Sequence, residues 1–342
     1  MRDGQPIGGA AGMNASALWR NGWRAGGPRL VIGLLNNMGD GALAATERQF
    51  AGLLREAAGM QHVSLRLFTF TETPRGEAGQ AYLAGRYADA ALIADADLDG
   101  LIVTGAEPRA AALDAEAYWP AMTRVVDWGE SAGVATIWSC LAAHAAVLRL
   151  DGVRRWPLPA KLSGVFTSET IWHDPLLEGA PAPRLAPHSR LNTLSEEDLV
   201  LHGYRILSRS AEAGVDAFVR RGRATQLFLQ GHPEYDADTL MREYVRDMGR
   251  FARGERPERP AIPTGYFDEA TELALTCLDR RAGRHKASDP IAALSDVLGR
   301  AQPEQSWRDS AVSLYRNWLA EIAERKWGET PAVVDWGSEA VA

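Results

Sequence analysis

The chain has 342 residues, of which 46% are hydrophobic and 24% are charged. This length is sufficient for one large α/β domain, and the composition is that of an ordinary folded, soluble protein rather than a disordered or fibrous one. Because 44 acidic residues outnumber 37 Lys and Arg and leave a net charge of -7, the chain has no general attraction for nucleic acid or for anionic membranes. We therefore expect small-molecule substrates and neither of those partners.

The cysteine content and the first residues favour a cytoplasmic protein. The two cysteines, Cys140 and Cys277, are too few for a disulfide framework in a chain of this size. The segment 1–28 is rich in Gly, Ala and Asn and lacks the apolar stretch of a signal peptide. The first strongly apolar run, Leu30–Leu35, is too short to span a bilayer. We interpret 1–28 as a flexible N-terminal arm.

The first half of the chain alternates buried-strand patterns with amphipathic helix patterns. The predicted strands are Leu30–Asn36, Val63–Phe70, Leu98–Thr104 and Val134–Ser139, and the predicted helices are Ala44–Ala58, Tyr82–Ala94, Ala115–Gly129 and Leu141–Leu150. Parallel neighbours in a sheet need crossover helices between them, so this order predicts a doubly wound α/β fold. In such a fold the functional loops follow the carboxyl ends of the strands.

The second half predicts an extension of the sheet followed by helices. Short strand patterns cover Gly164–Glu169, Tyr204–Ser210, Val215–Arg220 and Thr225–Gln230, and we expect them to form an antiparallel extension. After a charged, Pro-rich linker at Glu255–Pro263, amphipathic patterns predict helices near Ala270–Arg281, Pro290–Arg300 and Trp307–Lys326. The predicted organisation is an α/β catalytic domain over 29–254, a linker and helical C-terminal annex packing on it over 255–330, and a tail over 331–342. No metal-ligand spacing occurs, so we predict no metal.

Cys140 is the first candidate for chemistry. It lies where a predicted strand ends and a predicted helix begins, a turn that exposes a side chain and directs the first helical N–H groups towards it. Those amide dipoles favour the thiolate, which is the nucleophilic form of cysteine. Free cysteine is also among the most buried residue types, so position alone does not separate a nucleophile from a core residue.

The second candidate segment is Gln230–Asp236, which follows the strand pattern of Thr225–Leu229. Residues two apart in an extended segment face the same side, so Glu234 can reach the ring of His232 and fix its tautomer. A nucleophile needs a base and the base needs a carboxylate, and Cys140, His232 and Glu234 supply these three groups. A structural turn with an exposed histidine is the alternative interpretation.

The order of these motifs resembles the class I glutamine-amidotransferase-like superfamily and, more specifically, the homoserine O-acyltransferase family. The segments that carry the resemblance are Asp99–Ala106, Tyr118–Pro120, Lys161–Phe166, Pro187–Arg190, Gly231–Asp236, Arg246–Asp247, Ser306–Trp307 and Asn317–Trp318, with an apparent insertion near 269–300. The resemblance implies a flavodoxin-like fold, transfer of an acyl group from acyl-CoA to homoserine through an acyl-cysteine, no bound cofactor and a homodimer.

The resemblance also implies a role for each matching position. Cys140 would take the acyl group, His232 would move the proton and Glu234 would orient His232. Backbone amides of Leu141 and of the loop at Gly105 and Ala106 would form the oxyanion hole. The substrate-pocket positions that match are Arg246, which would bind the amino acid's carboxylate, Lys161, Ser189 and the helix start at Thr46 and Glu47. An ion pair of Arg246 with Asp247 or Glu243, and a solvated Lys161, are the alternatives.

Three positions depart from the family pattern and leave the substrates open. The loop Met38–Gly41 is two residues longer than in the family and lacks its Pro and two lysines, so serine or another amino alcohol is an alternative acceptor. Leu141 replaces a common Trp. Arg109 aligns with the position that selects the acyl donor, and because a cation there could pair with a succinyl carboxylate we favour succinyl-CoA over acetyl-CoA. Glu107 lies nearby in the same loop.

Two other classes of function use the same fold. A glutaminase that supplies ammonia to a synthetase also has a Cys and a His-x-Glu pair, but its cysteine normally lies in a Gly-rich turn, whereas here the neighbours are Ser139 and Leu141. A non-catalytic binding module would have no need of a complete nucleophile, base and carboxylate series. Both alternatives are therefore less favoured than acyl transfer.

Overall fold

The computed structural model describes residues 29–282 and 290–328, so the predicted arm over 1–28 and tail over 331–342 lie outside it. The strands of the described part are β1 Arg29–Leu35, β2 His62–Thr69, β3 Ala88–Asp89, β4 Gly100–Thr104, β5 Ala135–Ser139, β6 Trp156–Thr170, β7 Arg184–Thr193, β8 Arg205–Ser210, β9 Gly214–Arg221 and β10 Thr225–Leu229. They form one sheet in the order β3-β2-β1-β4-β5-β10-β9-β8-β6-β7.

The helices of the described part cover both faces of this sheet. They are α1 Leu43–Ala58, α2 Glu77–Leu83, α3 Trp119–Ala132, α4 Leu141–Asp151, α5 Glu196–Leu201, α6 Thr239–Ala252, α7 Glu269–Ala282, α8 Pro290–Leu298 and α9 Arg308–Trp327. None of the described helices is both long enough and apolar enough to cross a membrane.

The sheet confirms the predicted doubly wound fold. Strands β2, β1, β4, β5 and β10 are parallel neighbours, which is the strand order of a flavodoxin-like sheet. Beyond β10, the strands β9, β8, β6 and β7 pair antiparallel. The prediction that Thr225–Gln230 belongs to the antiparallel extension was wrong, because β10 pairs in parallel with β5 and completes the parallel part of the sheet.

Two apolar clusters hold the layers together, one on each face. On one face, α3 and α4 pack through Met122, Val125 and Val147 against Trp138 and Phe228 of the sheet. On the other face, α1 and α9 bury side chains against β1, β4, β5 and β10, and the α9 residues include Tyr315, Trp318, Leu319 and Ile322. Strands covered on both faces are apolar throughout, as the sequence of β1 shows.

The predicted helix Tyr82–Ala94 was wrong. Helix α2 ends at Leu83, and Gly85 adopts a positive φ of 71°, a conformation that glycine tolerates and that interrupts a helix. The chain then pairs with β2 through Ala88 and Asp89. The Asp89 carboxylate accepts a hydrogen bond from the Ala91 amide at 2.7 Å and starts a short 3-10 helix.

The antiparallel extension is larger than predicted, and two of its features were missed. Strand β6 begins at Trp156, eight residues before the predicted start at Gly164, and strand β7 was not predicted. β7 has Pro187 and His188 in its middle, and Pro is disfavoured within a strand except at a sheet edge. The sheet order places β7 at that edge.

The segment near 269–300 forms α7 and α8 where it is described. Leu275 of α7 and Leu294 and Leu298 of α8 pack in one apolar cluster with Tyr244 and Met248 of α6. These two helices therefore cover α6, the helix that carries Arg246.

Candidate active site

The turn between β5 and α4 presents Cys140. This residue has φ 50° and ψ -110° and, with Asp97, is one of two non-glycine residues with positive φ in the described ranges. Such a conformation is strained and persists only where neighbouring bonds enforce it. The Cys140 amide donates to Leu229 O at 2.7 Å, and its carbonyl accepts from the Ala143 amide at 3.0 Å. The thiol is left partly exposed at the start of α4.

Pairing of β5 with β10 brings His232 to this turn. Ser139 lies opposite Leu229 in the parallel register, so Cys140 and Gln230 leave the sheet side by side. The His232 amide then donates to Pro187 O at 2.7 Å, which fixes the loop against β7. Gly231 permits this approach, because a Cβ there would lie 2.7 Å from Asp216 Oδ1.

Cys140, His232 and Glu234 lie together at the strand ends. His232 Nδ1 lies 2.8 Å from Glu234 Oε1, and the ring is close enough to Cys140 for the two groups to interact. Burial lowers the pKa of His232, but the negative charges of Cys140 and Glu234 outweigh it, and the pKa lies well above its ordinary value. The arrangement favours a protonated imidazole beside Cys140.

The C-terminal helix α9 carries Tyr315, which is fully buried. Burial, and then the Glu234 charge, raise the pKa of Tyr315 well above its ordinary value.

The end of β4 lies against the start of α4. A Cβ on Gly105 would lie 2.3 Å from Leu141 Cβ and 3.0 Å from the Ala142 nitrogen. The structure thus brings together two of the predicted oxyanion-hole positions, with Ala106 packed beside them. Amides that converge at a helix start are suited to stabilise a developing oxyanion.

Gly105→Ala is expected to lower kcat about 10²-fold, because the added methyl group must displace the backbone that carries the predicted oxyanion amides. The measurement is steady-state turnover, with circular dichroism to confirm folding. Gly52→Ala in α1 is the matched control, since the nearest heavy atom to its Cβ is 4.0 Å away, and its kcat should be unchanged. Equal kcat values for the two variants would contradict a role of this contact in catalysis.

Three of the predicted substrate positions meet in one polar cluster. Lys161 Nζ lies 2.8 Å from Asp247 Oδ2 and 3.4 Å from Glu243 Oε2, and Ser189 Oγ donates to Glu243. Arg246 Nε donates to Asp247 Oδ1 at 3.1 Å. Burial raises the pKa of Glu243, but Lys161 and the Ser189 hydrogen bond outweigh it, and the carboxyl stays ionised with its pKa below the ordinary value.

Tyr235 connects this cluster to His232. Its ring stacks on the imidazole with centroids 4.3 Å apart and an interplanar angle of 18°, and its hydroxyl donates to Glu243 Oε1 at 2.9 Å. Sequence reasoning assigned Tyr235 no role and considered Glu243 and Asp247 only as ion-pair partners. The available signal was the spacing of Glu243, Arg246 and Asp247, which places three charges on one side of a helix.

Among the described residues, no hydrogen bond or ion pair joins Arg109 or the loop Met38–Gly41 to this cluster. Glu116, which is buried, accepts the backbone amides of Arg109 and Ala110 at 2.7 and 2.8 Å. The Arg109 guanidinium is exposed and lies 3.4 Å from Pro74 O. Its role in donor selection stays a prediction.

Glu47 and Glu107 have partners of their own. Glu47 accepts hydrogen bonds from Tyr82 and Tyr87 at 2.8 and 2.9 Å. Glu107 pairs with Arg250 of α6 at 3.0 Å.

Buried polar groups support the loop that carries His232. His188 is fully buried, with Nε2 3.4 Å from Asp216 Oδ1. Gln230 accepts the Leu194 amide at 3.0 Å through Oε1 and donates to Val215 O at 2.7 Å. Because Oε1 is thereby fixed as an acceptor, His144 Nε2 at 3.0 Å must donate to it. His144 is therefore held as the neutral Nε2–H tautomer.

Acid is expected to destabilise the fold through His144. Burial lowers the pKa of His144 to about 3, whereas an unfolded histidine has a pKa of about 6.5. Between these values the unfolded chain binds a proton that the folded chain does not, so stability falls as the pH falls, by up to about 1.4 kcal/mol per unit. In urea unfolding from pH 7 to pH 4, the free energy of unfolding should decline less steeply for His144→Gln than for wild type. Equal declines in the two proteins would contradict a buried, neutral His144.

The fold and the site define an α/β protein with a cysteine, a histidine and a glutamate joined at the carboxyl ends of neighbouring strands. In the ranges 29–282 and 290–328, no group of three or more His, Cys, Asp and Glu side chains could hold a metal ion. The family model described as homoserine O-succinyltransferase matches residues 24–326. The chain therefore belongs to the homoserine O-succinyltransferase family and is an acyltransferase.

Individual relatives agree with the family match. The chain is 48% identical over 303 residues to the homoserine O-succinyltransferase of Rhodopseudomonas palustris, covering 88% of this chain and 90% of that protein. It is 47% identical over 297 residues to the homoserine O-succinyltransferase of Methylorubrum extorquens, covering 87% and 88%. Among solved structures, a glutamine amidotransferase from Methylobacillus flagellatus matches with a TM-score of 0.47 and 17% identity, covering 85% of this chain and 94% of that one.

Proposed function

We propose that this chain transfers a succinyl group from succinyl-CoA, through a thioester on Cys140, to the hydroxyl of L-homoserine in methionine biosynthesis. The observation that supports the thioester is the placement of Cys140 beside a His232 that is hydrogen-bonded to Glu234, at the ends of the paired strands β5 and β10. The family name supports the donor and the acceptor. Acyl-CoA is a substrate in this proposal and not a bound cofactor.

The first half-reaction acylates the enzyme. The Cys140 thiolate attacks the thioester carbonyl carbon, and amides of Leu141, Gly105 and Ala106 stabilise the oxyanion. The carbon–sulfur bond to CoA then breaks, and the departing CoA thiolate takes the proton of the His232 imidazolium. The products are acyl-Cys140, free CoA and a neutral His232.

The second half-reaction transfers the acyl group. Neutral His232 takes the proton of the acceptor hydroxyl as its oxygen attacks the acyl-Cys140 carbonyl, and the carbon–sulfur bond to Cys140 breaks. The ester leaves, and the thiolate and imidazolium are restored. Glu234 holds the imidazole ring in one orientation through both steps.

The polar cluster around Glu243 is where we place the amino acid acceptor. Arg246 supplies a guanidinium for its carboxylate, and Lys161 and Ser189 set the position of the Glu243 carboxylate. The Tyr235 contact with both His232 and Glu243 brings this cluster beside the acyl centre. The acceptor hydroxyl can therefore reach the acyl carbon while the amino acid head group is bound.

Intact-mass measurement tests the proposal. Incubation with succinyl-CoA alone should release one equivalent of CoA and add one succinyl group to Cys140, and homoserine should then remove it. Serine and related amino alcohols in place of homoserine test the acceptor. If the protein hydrolysed glutamine and neither succinyl-CoA nor acetyl-CoA acylated Cys140, the proposal would be overturned in favour of a glutaminase.

We also propose a cytoplasmic homodimer. A reducing compartment would keep the partly exposed Cys140 thiol available. Sedimentation equilibrium tests the oligomeric state, and a monomer at micromolar concentration would overturn that part.

A further inference from the structure

Two arginines outside the series of Cys140, His232 and Glu234 lie within electrostatic range of Cys140. They are Arg155, which follows α4, and Arg190 of β7. A positive charge beside a nucleophilic sulfur can stabilise the thiolate, and it can also bind an anionic group of the substrate. Their hydrogen bonds decide which of the two residues is available to a ligand.

The donors of Arg190 are already used by the protein. Its Nη1 donates to Asn192 O at 2.7 Å, its Nη2 donates to Ala213 O, and its Nε lies 3.3 Å from His188 Nδ1. Each of the three guanidinium nitrogens of Arg190 thus has a partner in the protein, and the residue is buried, so Arg190 is a fixed support of β7.

Arg155 has no such partners. Among the described residues, none accepts a hydrogen bond from its guanidinium and none forms a salt bridge with it, and Nη1 is buried without a partner. The nearby carboxylate that acts on it, Glu116, is already held by the amides of Arg109 and Ala110. A half-buried guanidinium with unsatisfied donors is costly unless a ligand completes it.

We propose that Arg155 binds the free carboxylate of a dicarboxylic acyl group on Cys140 and so selects succinyl-CoA over acetyl-CoA. This inference rests on the proposed function. In a succinyl thioester the free carboxylate lies three carbon–carbon bonds from the carbonyl carbon, so it stays close to the sulfur. The phosphates of CoA lie at the far end of the pantetheine arm, beyond reach of a cation beside Cys140.

The chemistry of the guanidinium fits a carboxylate. Arg155 can offer two parallel N–H donors to two carboxylate oxygens. An acetyl group has no charge to place there and would leave the donors unsatisfied. Discrimination in this pocket would therefore come from a charge on the acyl group, with Arg109 in the neighbouring loop as the alternative cation.

The test compares kcat/KM for succinyl-CoA and acetyl-CoA in wild type, Arg155→Gln, Arg155→Lys and Arg109→Glu, with Arg154→Gln as a matched control at an exposed neighbour. Arg155→Gln should lower kcat/KM for succinyl-CoA about 100-fold and change that for acetyl-CoA less than about threefold. Arg155→Lys should retain part of the preference. Arg154→Gln should change neither value.

A second readout does not depend on acyl transfer. Iodoacetate carries a carboxylate and iodoacetamide does not, so the ratio of their rates of Cys140 alkylation reports a cation that attracts a carboxylate to the sulfur. This ratio should fall about tenfold in Arg155→Gln. An equal loss for both acyl-CoA donors, an unchanged alkylation ratio, or a donor preference that responds to Arg109→Glu and not to Arg155→Gln would overturn the inference. Absence of any Cys140 acylation in wild type would instead overturn the proposed function.

Discussion

Cys140→Ala is expected to lower kcat/KM for acyl transfer about 10⁴-fold or more and to leave no acyl adduct on the protein. The sulfur is the proposed atom that bonds the acyl carbon, and an alanine methyl group cannot take its place. The proposed oxyanion amides and the proposed acceptor cluster remain in this variant, so a small residual rate is expected. CoA release and intact mass measure the two effects.

Cys277→Ala is the matched control, because Cys277 is the other cysteine of the chain and is exposed on α7. It should retain full activity and the full adduct mass. The Cys140 backbone is strained at φ 50°. Comparing the thermal denaturation of Cys140→Ala with that of Cys140→Gly should therefore separate the effect of backbone strain on stability from the loss of the sulfur. Turnover in Cys140→Ala within tenfold of wild type would remove the basis of the thioester mechanism.

His232→Asn is expected to lower kcat about 10⁴-fold, and Glu234→Gln to lower it between about 10²-fold and 10⁴-fold. Asparagine cannot accept the proton of the acceptor hydroxyl. Glutamine keeps the shape of Glu234 but loses the charge that holds the imidazolium at 2.8 Å. Steady-state kinetics with saturating homoserine measures both losses. His202→Asn, at an exposed position after α5, is the control and should be fully active.

The pH dependence distinguishes orientation from general damage to the fold. The Glu234 carboxylate raises the pKa of His232, so Glu234→Gln should lower that pKa, and an NMR titration of the His232 ring should show its profile shifted towards acid. A variant that had lost only stability would show the wild-type profile with a reduced amplitude. An unshifted profile would therefore contradict the proposed coupling of Glu234 to His232.

Two kinds of proximity could be predicted from the sequence: that of residues two apart in an extended segment, and that of residues that directly follow neighbouring strands. His232 and Glu234 are adjacent along an extended segment, and Cys140 and the segment after Thr225–Leu229 each follow an apolar strand pattern. Since the carboxyl ends of parallel strands share one edge of a sheet, the meeting of these residues followed from local pattern and general topology. The structure confirms the proximity through the pairing of β5 with β10.

Some residues of the polar cluster could be predicted from the sequence, but their contacts with one another could not. Lys161, Ser189 and Arg246 come from β6, β7 and α6, and β7 had no strand pattern because Pro187 interrupts it. Glu243 and Asp247, which join these residues, were visible only as charges on the same segment. The stack of Tyr235 on His232 depends on a turn whose dihedral angles are not evident from the letters His-Pro-Glu-Tyr.

The sequence alone determined the alternation of strands and helices, the doubly wound α/β class and the identity of the three residues proposed for catalysis, because apolar periodicity and strand-end position are local properties. Tertiary structure alone decided that α9 packs on the sheet beside α1. It also decided that Arg190 is committed to backbone carbonyls while Arg155 is not. Hydrogen-bond satisfaction depends on partners distant in the chain, so the availability of a charged group to a ligand is a property of the folded molecule.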